Sequence, residues 1–448
     1  MNEALLDGTN GFVVNGPATY SNLGQVVAGG GDVNGDGADD LVMTAPAAGF
    51  SYVLLGRAVF PALVDLAQID CHGGIVIWPQ ALAASIAGDL DGDGTADVLL
   101  GSPNAAEGNA YVLFGDGGAA SFVAGEGCDT SNGNRVRVFD PSGTATAVDF
   151  LAYAVGHWGT HVAAGLLRGW NRQEILTGPG PAWSLGPQIR GFDGLGSPIT
   201  KINFFAYSTL RFGADVGAGD VDGDVLDEIL TGAGPGAVFG PHVRGWNYDG
   251  SALSALPGLS FFAYGTLQFG VAVGAGDVDL DSCAEVLTGP GPGRTFAAHA
   301  RGWNYDGTAL ASIAKINFVA VPYGYGLHVA GGDVDADGFA EVVAAPGPGP
   351  SNPPRLRGFD YDGGAVSGLP GFDTMLPSGA TRGATVSCGD VDGAGGDEIA
   401  GGLGGDPLAD AVVRPYGYDG VALTPLAPFN PFPADAFGVN PALGRIGF

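Results

Sequence analysis

The chain has 448 residues and a formal charge of −30, with 17 Lys+Arg against 47 Asp+Glu. So acidic a surface repels phosphate backbones and anionic lipid headgroups, which excludes nucleic acid and membrane surfaces as expected partners, and no run reaches the roughly 18 apolar residues of a spanning helix. Charged residues are only 14% of the chain while Gly numbers 82, so the surface outside the acidic segments is neutral and partly apolar, a composition suited to contact with other surfaces.

The opening MNEALLDGTNGF has neither a basic n-region nor an apolar h-region, and no signal peptide is expected in it. The first marked element is the acidic turn GDVNGDGADD at 31–40. It returns as GDLDGDGTADVLL from Gly88, GDVDGDVLDEIL from Gly219, GDVDLDSCAEVL from Gly276, GDVDADGFAEVV from Gly332 and GDVDGAGGDEIA from Gly389. An eroded copy, GLLRGWNRQEIL from Gly165, is placed by the EILTGPGP that completes and follows it. The residues after the leading glycines, 32, 89, 166, 220, 277, 333 and 390, are separated by 57, 77, 54, 57, 56 and 57 positions. One dominant period over seven units is a repeat architecture.

Within a period the chain reads as strands. QFGVAVGAGD leads into the turn, then AEVLTGPGPG, AAHARGWNYDG and SIAKINFVAV follow, each rich in Val, Ile or Phe and closed by Gly, Pro or Asp-Gly. Four antiparallel strands per unit, seven times, predict an all-β fold: a single seven-bladed β-propeller spanning 1–448, its acidic turns at 32–40, 89–97, 166–174 (eroded), 220–228, 277–285, 333–341 and 390–398. The opening LLDGTNGFVVNG resembles QIDCHGGIVIW, so the N-terminus is expected to add an outer strand to the last blade. The tail FGVNPALG resembles the inner strand FGVAVGAG, which leaves the closing terminus open. The 77-residue interval assigns about 20 extra residues to the second blade, between Gly117 and Trp158. Cys71 and Cys128 each follow their marker by 39 residues, equivalent places too far apart for a bridge. With Cys283 in an acidic turn and Cys388 on an inner strand, no obligatory disulfide is expected.

Oxygens at turn positions 1, 3, 5 and 9, with a backbone carbonyl at 7 and a glycine at 6 for the bend, form a cage for a hard cation of six to eight ligands. Ca²⁺ fits better than Mg²⁺, and Zn²⁺ is disfavoured without His or Cys nearby. The complete sets are Asp32, Asn34, Asp36, Asp40; Asp89, Asp91, Asp93, Asp97; Asp220, Asp222, Asp224, Glu228; Asp277, Asp279, Asp281, Glu285; and Asp333, Asp335, Asp337, Glu341. The last turn keeps Asp390, Asp392 and Glu398 but has Ala394 at position 5, predicting weak binding. In the eroded turn these positions hold Leu166, Arg168, Trp170 and Glu174, and a guanidinium paired with Glu174 is what a lost metal charge requires.

With these turns, with Phe212-Gly213, Phe269-Gly270 and Phe437-Gly438, and with TGAGPG and TGPGPG in place of Gly-Ala-Pro, the chain resembles the FG-GAP family, which builds the propeller of integrin α-subunits and of many bacterial extracellular proteins. The resemblance implies calcium, an extracellular or cell-surface location, and adhesion or recognition rather than catalysis. The scaffold is shared without sharing a ligand.

No Gly-x-Ser-x-Gly elbow or nucleotide loop is present, and no enzyme is expected. His161, Asp215, His328 and Thr385 all stand five residues before their markers, an arrangement read chiefly as the polar lining of a channel, with an acid/base or metal site as the lesser alternative. Arg190, Arg244, Arg301, Arg357 and Arg414 recur at the repeat period, each two residues before an aromatic, and are expected to tie blades together. Ligand contacts are expected on loops of the face opposite the acidic turns: Phe50, Trp183, Phe239 and Phe296, with Trp158, Arg211 and Tyr325. These suit a glycan or a protein partner. The alternative is a structural subunit packing against copies of itself or partner chains, and an enzyme with a channel site stands third.

Overall fold

The computed structural model describes residues 6–446 except 9, 34–37, 57–59, 67–73, 78–80, 91–94, 104–107, 114–119, 155, 169–171, 209–210, 225, 266–267, 282 and 394–395. Every regular element described is a strand. The chain divides into two compact units: Met1–Gly118 with Gly223–Val225 and Gly393–Gly395, and Ala119–Asp222 with Leu226–Asp392 and Gly396–Phe448.

In the first unit, Val27–Gly29, Leu41–Ala45, Phe50–Leu54 and Gly74–Ile77 form one sheet in that order, and Ala83–Ile86, Val98–Ser102 and Asn109–Leu113 form a second. Val33, Val42, Val53, Val98 and Leu100 bury a common core between them. The N-terminal strand Val13–Asn15 pairs in parallel with Leu63–Asp65 of this same unit. It therefore supplies no outer strand to the last repeat, contrary to the sequence expectation.

The second unit holds six four-stranded antiparallel sheets among the described residues. Five follow the repeat, with inner strands Thr160–Gly165, Ala214–Gly219, Val271–Gly276, Leu327–Gly332 and Ala384–Gly389. The sixth is built from both ends of the unit. Ser121–Glu126, Arg135–Phe139 and Ala145–Leu151 supply three strands, and the C-terminal Val439–Gly444 supplies the inner one. The supposed insertion in the second repeat is thus most of a sheet, and Cys128 lies just beyond one of its strands; Cys71, expected at an equivalent place, is outside the described residues.

The six inner strands touch one another in a cycle, with Val439–Gly444 contacting both Ala384–Gly389 and Thr160–Gly165. A second cycle runs through the turns. The N–H groups of Asp227, Ala284, Ala340, Asp397, Ala120 and Gln173 donate, at 2.6–2.9 Å, to the carbonyls of Leu166, Asp220, Asp277, Asp333, Asp390 and Arg445 respectively. The cores are likewise shared pairwise: Ile175 and Phe192 pack with Val123 and Val136, and Val391 and Val413 with Phe122 and Phe139. One ring of seven over the whole chain does not describe these contacts, because the repeats at 32 and 89 belong to the other unit.

Small residues crowd the centre: a Cβ at Gly331 would run into the Ala275 carbonyl. In the five repeat sheets of the second unit the second strand, such as Glu285–Pro290, is buried throughout. The recurrent arginines stitch sheets together as expected. Arg244, Arg301 and Arg357 donate at 2.6–2.7 Å to the carbonyls of Ala206, Ala263 and Ala320 on the preceding sheet, and Arg190 donates to that of Ala152. Arg414 reaches the Pro377 carbonyl. Arg137 does the same for the sixth sheet, through the Pro431 carbonyl at 2.6 Å, with its guanidinium over Phe139.

Candidate metal centres and the channel mouth

The acidic turns join each inner strand to the second strand. One carboxylate oxygen of the position-9 residue always accepts the backbone N–H of position 2: Val33 to Asp40, Leu90 to Asp97, Leu167 to Glu174, Val221 to Glu228, Val278 to Glu285, Val334 to Glu341 and Val391 to Glu398, at 2.5–3.0 Å. This anchors the carboxylate; at Glu228, Glu285, Glu341 and Glu398 it leaves the other oxygen for the turn, whereas that of Asp40 accepts the Gly56 N–H at 2.7 Å. Positions 1, 3 and 9 then converge: Asp220, Asp222 and Glu228; Asp277, Asp279 and Glu285; Asp333, Asp335 and Glu341; and Asp390, Asp392 and Glu398 each bring ligand atoms within 4.8 Å of one another. The last cluster forms although Ala394, outside the described residues, replaces its position-5 carboxylate. Asn34, Asp36, Asp91 and Asp93 also lie outside the described residues, while Asp32, Asp40, Asp89 and Asp97 flank them.

The position-5 groups are not part of these clusters. Asp281 accepts hydrogen bonds from Asn304 Nδ2 and the Cys283 N–H, and Asp337 from the Phe339 N–H. At position 6 the described residue, Gly338, is left-handed as the bend requires. Position 4 is left-handed in the described turns, at Gly223, Leu280, Ala336 and Gly393. For Leu280 and Ala336 this costs roughly 1 kcal/mol, so the turn must be held by something stronger.

The clusters fit a cation. Buried oxygens Asp279 Oδ1, Glu285 Oε1, Asp335 Oδ1 and Glu341 Oε1 accept no hydrogen bond from the described residues, an expensive state unless a positive charge meets them. Burial, then the neighbouring aspartates, push Glu285 and Glu341 up to about 9, and Glu398 to about 7. A hard divalent ion reverses that penalty, and all-oxygen donors select calcium-like chemistry.

The eroded turn is the internal control. Here Arg168 Nε donates to Glu174 Oε1 at 3.1 Å, the oxygen that faces the cluster elsewhere. Arg168→Ala should cost about 1–2 kcal/mol by stranding a buried carboxylate, seen as a lower melting temperature. The calcium count by native mass spectrometry should stay unchanged.

At the other end of the inner strands, the residue before the leading glycine is left-handed in five of six sheets: Trp158, Phe212, Phe269, Tyr325 and Phe437, with Arg382 in the sixth place. All but Trp158 line one cavity of about 190 Å³, together with His161, Asp215, His328, Thr385, Asn440 and Cys128. The four residues expected to share a channel ring therefore do so, joined by Asn440 from the C-terminal strand, which sequence spacing had not supplied. Thr385 donates to the Val439 carbonyl at 2.8 Å.

The proposed ligand residues divide. Tyr325 belongs to this aromatic collar, while Trp158 shares its left-handed place without lining the cavity. Phe239 and Phe296 pack edge-on against Phe212 and Phe269, ring centroids 6.1 Å apart, so they support the collar rather than offer free faces. Trp183 is 71% exposed, and Arg211 beside it donates to the Ser184 carbonyl. Phe50 lies in the first unit, against Tyr52. Phe212, Phe269, Phe437 and Arg382 also line the cavity; the first three are visible in the sequence as Phe-Gly pairs, and Arg382 carries no such signal.

The chain carries FG-GAP repeats: the family model described as "FG-GAP repeat" matches residues 23–55 and 82–113, both in the first unit. The matches define a chain with propeller-type repeats. No curated protein matches the chain. Similar solved structures include a chain of the mitotic checkpoint complex, 12% identical, TM-score 0.36, covering 93% of this chain and 86% of that one. Others are the Bacillus licheniformis rhamnogalacturonan lyase PL11, 15% identical, TM-score 0.35, covering 89% and 73%, and the rhamnogalacturonan lyase YesW, 14% identical, TM-score 0.34, covering 92% and 79%.

Proposed function

We propose that this protein is a calcium-stabilised extracellular or cell-surface binding module, its second unit a six-bladed propeller that presents the aromatic collar to a glycan or protein partner. The observation that carries the reading is the division of labour between the two ends of the inner strands. At one end, acidic clusters with buried, unpartnered oxygens hold cations that brace the turns. At the other, Phe212, Phe269, Tyr325 and Phe437 with one arginine surround an apolar recess, the composition that stacks on sugar rings or receives an apolar side chain. The protein is screened in calcium buffer against glycan and protein arrays, and Tyr325→Ala with Arg382→Ala is expected to weaken the best hit at least ten-fold with calcium uptake unchanged. Binding that survives this change but is lost in Phe262→Asp would move the contact surface to the rim.

The rim supports a second reading, a structural subunit that packs with copies of itself. Leu151, Phe205, Phe262, Val319 and Met375, at or near the ends of the outer strands of five successive sheets, are each 50–62% exposed. An apolar residue repeated once per sheet on open strand edges is a surface that invites partners. Light scattering on the eluting protein separates a monomer from such an assembly.

A further inference from the structure

The channel mouth contains a grouping that a passive lining does not require. Cys128, His161 and Asp215 come from three successive sheets and meet at one point of the cavity wall. The Cys128 sulfur lies 3.8 Å from His161 Nε2, and His161 Nδ1 donates to Asp215 Oδ1 at 3.1 Å. Asp215 is fixed in turn, since its other oxygen accepts the Val273 N–H at 2.9 Å. Asn440 Nδ2, which donates to the Thr160 and Glu126 carbonyls, sits 3.7 Å from the same sulfur. Nucleophile, base and orienting carboxylate thus stand in the order and spacing that nucleophilic catalysis uses.

We infer that Cys128 is a nucleophile activated by His161, with Asp215 as positioning residue, and that the cavity receives small activated acyl donors, esters or thioesters with short apolar acyl groups. A metal cage is the weaker alternative, because among the described residues only the acidic turns gather three ligand atoms within 4.8 Å. The apolar character follows from the lining, in which Pro181, Pro235, Pro292, Phe212 and Phe269 stand around the polar ring.

The electrostatics agree with the geometry. Burial works against the charge on His161, but the Cys128 sulfur and Asp215 together raise its pKa well above the ordinary value. Burial also opposes charge on Asp215, yet His161 and then His328 hold it below the usual carboxylate range. Besides these groups, the cavity wall carries only Arg382 as a charged side chain among the described residues. His161, held by Asp215, therefore stands where it can take the Cys128 proton.

In the reaction, the Cys128 thiolate attacks the acyl carbonyl and forms a C–S bond. The bond to the leaving alkoxide or thiolate breaks, and the leaving group takes the proton from the His161 imidazolium. Water then attacks the acyl-thioester as His161 accepts its proton; the C–S bond breaks to release the carboxylic acid, and the departing sulfur takes the proton back from His161 to restore the thiol.

The test is made on the full chain, with p-nitrophenyl butyrate and iodoacetamide as probes and Cys283, a partly exposed free thiol in an acidic turn, as internal reference. Cys128, with His161 to take its proton, should alkylate at least ten-fold faster than Cys283. The ester should leave a butyryl group on the Cys128 peptide. Asp215→Asn should slow alkylation of Cys128, and His161→Gln should slow it further. Because the wild-type measurements need no variant to fold, equal alkylation of Cys128 and Cys283, or no butyryl adduct on Cys128, overturns the inference.

Discussion

Removal of residues 437–448 is expected to abolish cooperative folding of the second unit. The segment includes the whole inner strand Val439–Gly444, which pairs in register with Ser121–Glu126 and is buried along its length. Val439 and Leu443 each contribute about 1.5–3 kcal/mol through burial. Several ladder hydrogen bonds add about 1 kcal/mol apiece. The sum approaches the roughly 5–15 kcal/mol that separates a folded domain from its unfolded chain. The loss also opens a cycle, because this strand contacts the inner strands on both sides and Gln173 donates to the Arg445 carbonyl just beyond it. The truncated chain should aggregate or melt without a sharp transition by circular dichroism, and a synthetic peptide of residues 437–448 should restore the transition. A truncated chain that melts as sharply and at the same temperature as the intact one would show that the sixth sheet does not close as described.

Chelation of calcium is expected to produce the next largest effect, and one that depends on pH. With about 1 mM free ion and a site constant of about 10⁻⁴ M, each filled turn adds roughly 1.4 kcal/mol. Four converged clusters together supply about 5–6 kcal/mol by the same relation. At about 2–4 °C per kcal/mol for a large domain, that is a melting shift on the order of 10 °C or more. The pH dependence has a definite sign. Glu285 and Glu341 are pushed up to about 9 and Glu398 to about 7, against roughly 4.3 in an unfolded chain. Without calcium the folded state therefore binds more protons than the unfolded state between these values, and its stability falls as pH rises through that window. The chelated protein should melt higher at pH 5.5 than at pH 8, and calcium should raise the melting temperature more at pH 8. A calcium shift that is absent at pH 8, or larger at pH 5.5, contradicts the cation role of these carboxylates.

The repeats were legible because the acidic turn carries a strong local signature, and it located every position-9 anchor and the Arg168–Glu174 pair. The sheet completed by the C-terminal strand escaped the repeat pattern for a related reason. The sixth sheet of the second unit has no acidic turn, since its inner strand arrives from the other end of the chain and no local hairpin joins it to the second strand. Its mark lay elsewhere, in Arg137 and Phe139, which stand 53 residues before Arg190 and Phe192 and repeat their spacing. Counting arginines instead of aspartates gives six sheets. The boundary near Gly118 had no such signal, because repeats on both sides use the same turn, and membership of a unit is decided by packing that sequence period does not encode. The channel mouth was half legible. The shared offset of His161, Asp215, His328 and Thr385 placed them in one ring, but Cys128 and Asn440 join it only through the sheet that both chain regions complete. The aromatic collar was visible as Phe-Gly pairs, while its line of left-handed residues is a backbone property that composition does not announce.

The account stands most directly on where the ions go, and anomalous diffraction from crystals grown in calcium chloride reads this in one measurement. It predicts a calcium peak between the carboxylates of Asp277, Asp279 and Glu285, and others at the clusters built on Asp220, Asp333 and Asp390. It predicts none beside Arg168, where the guanidinium already meets Glu174. Carboxylate clusters without anomalous density, or an ion sharing the turn with Arg168, would contradict it.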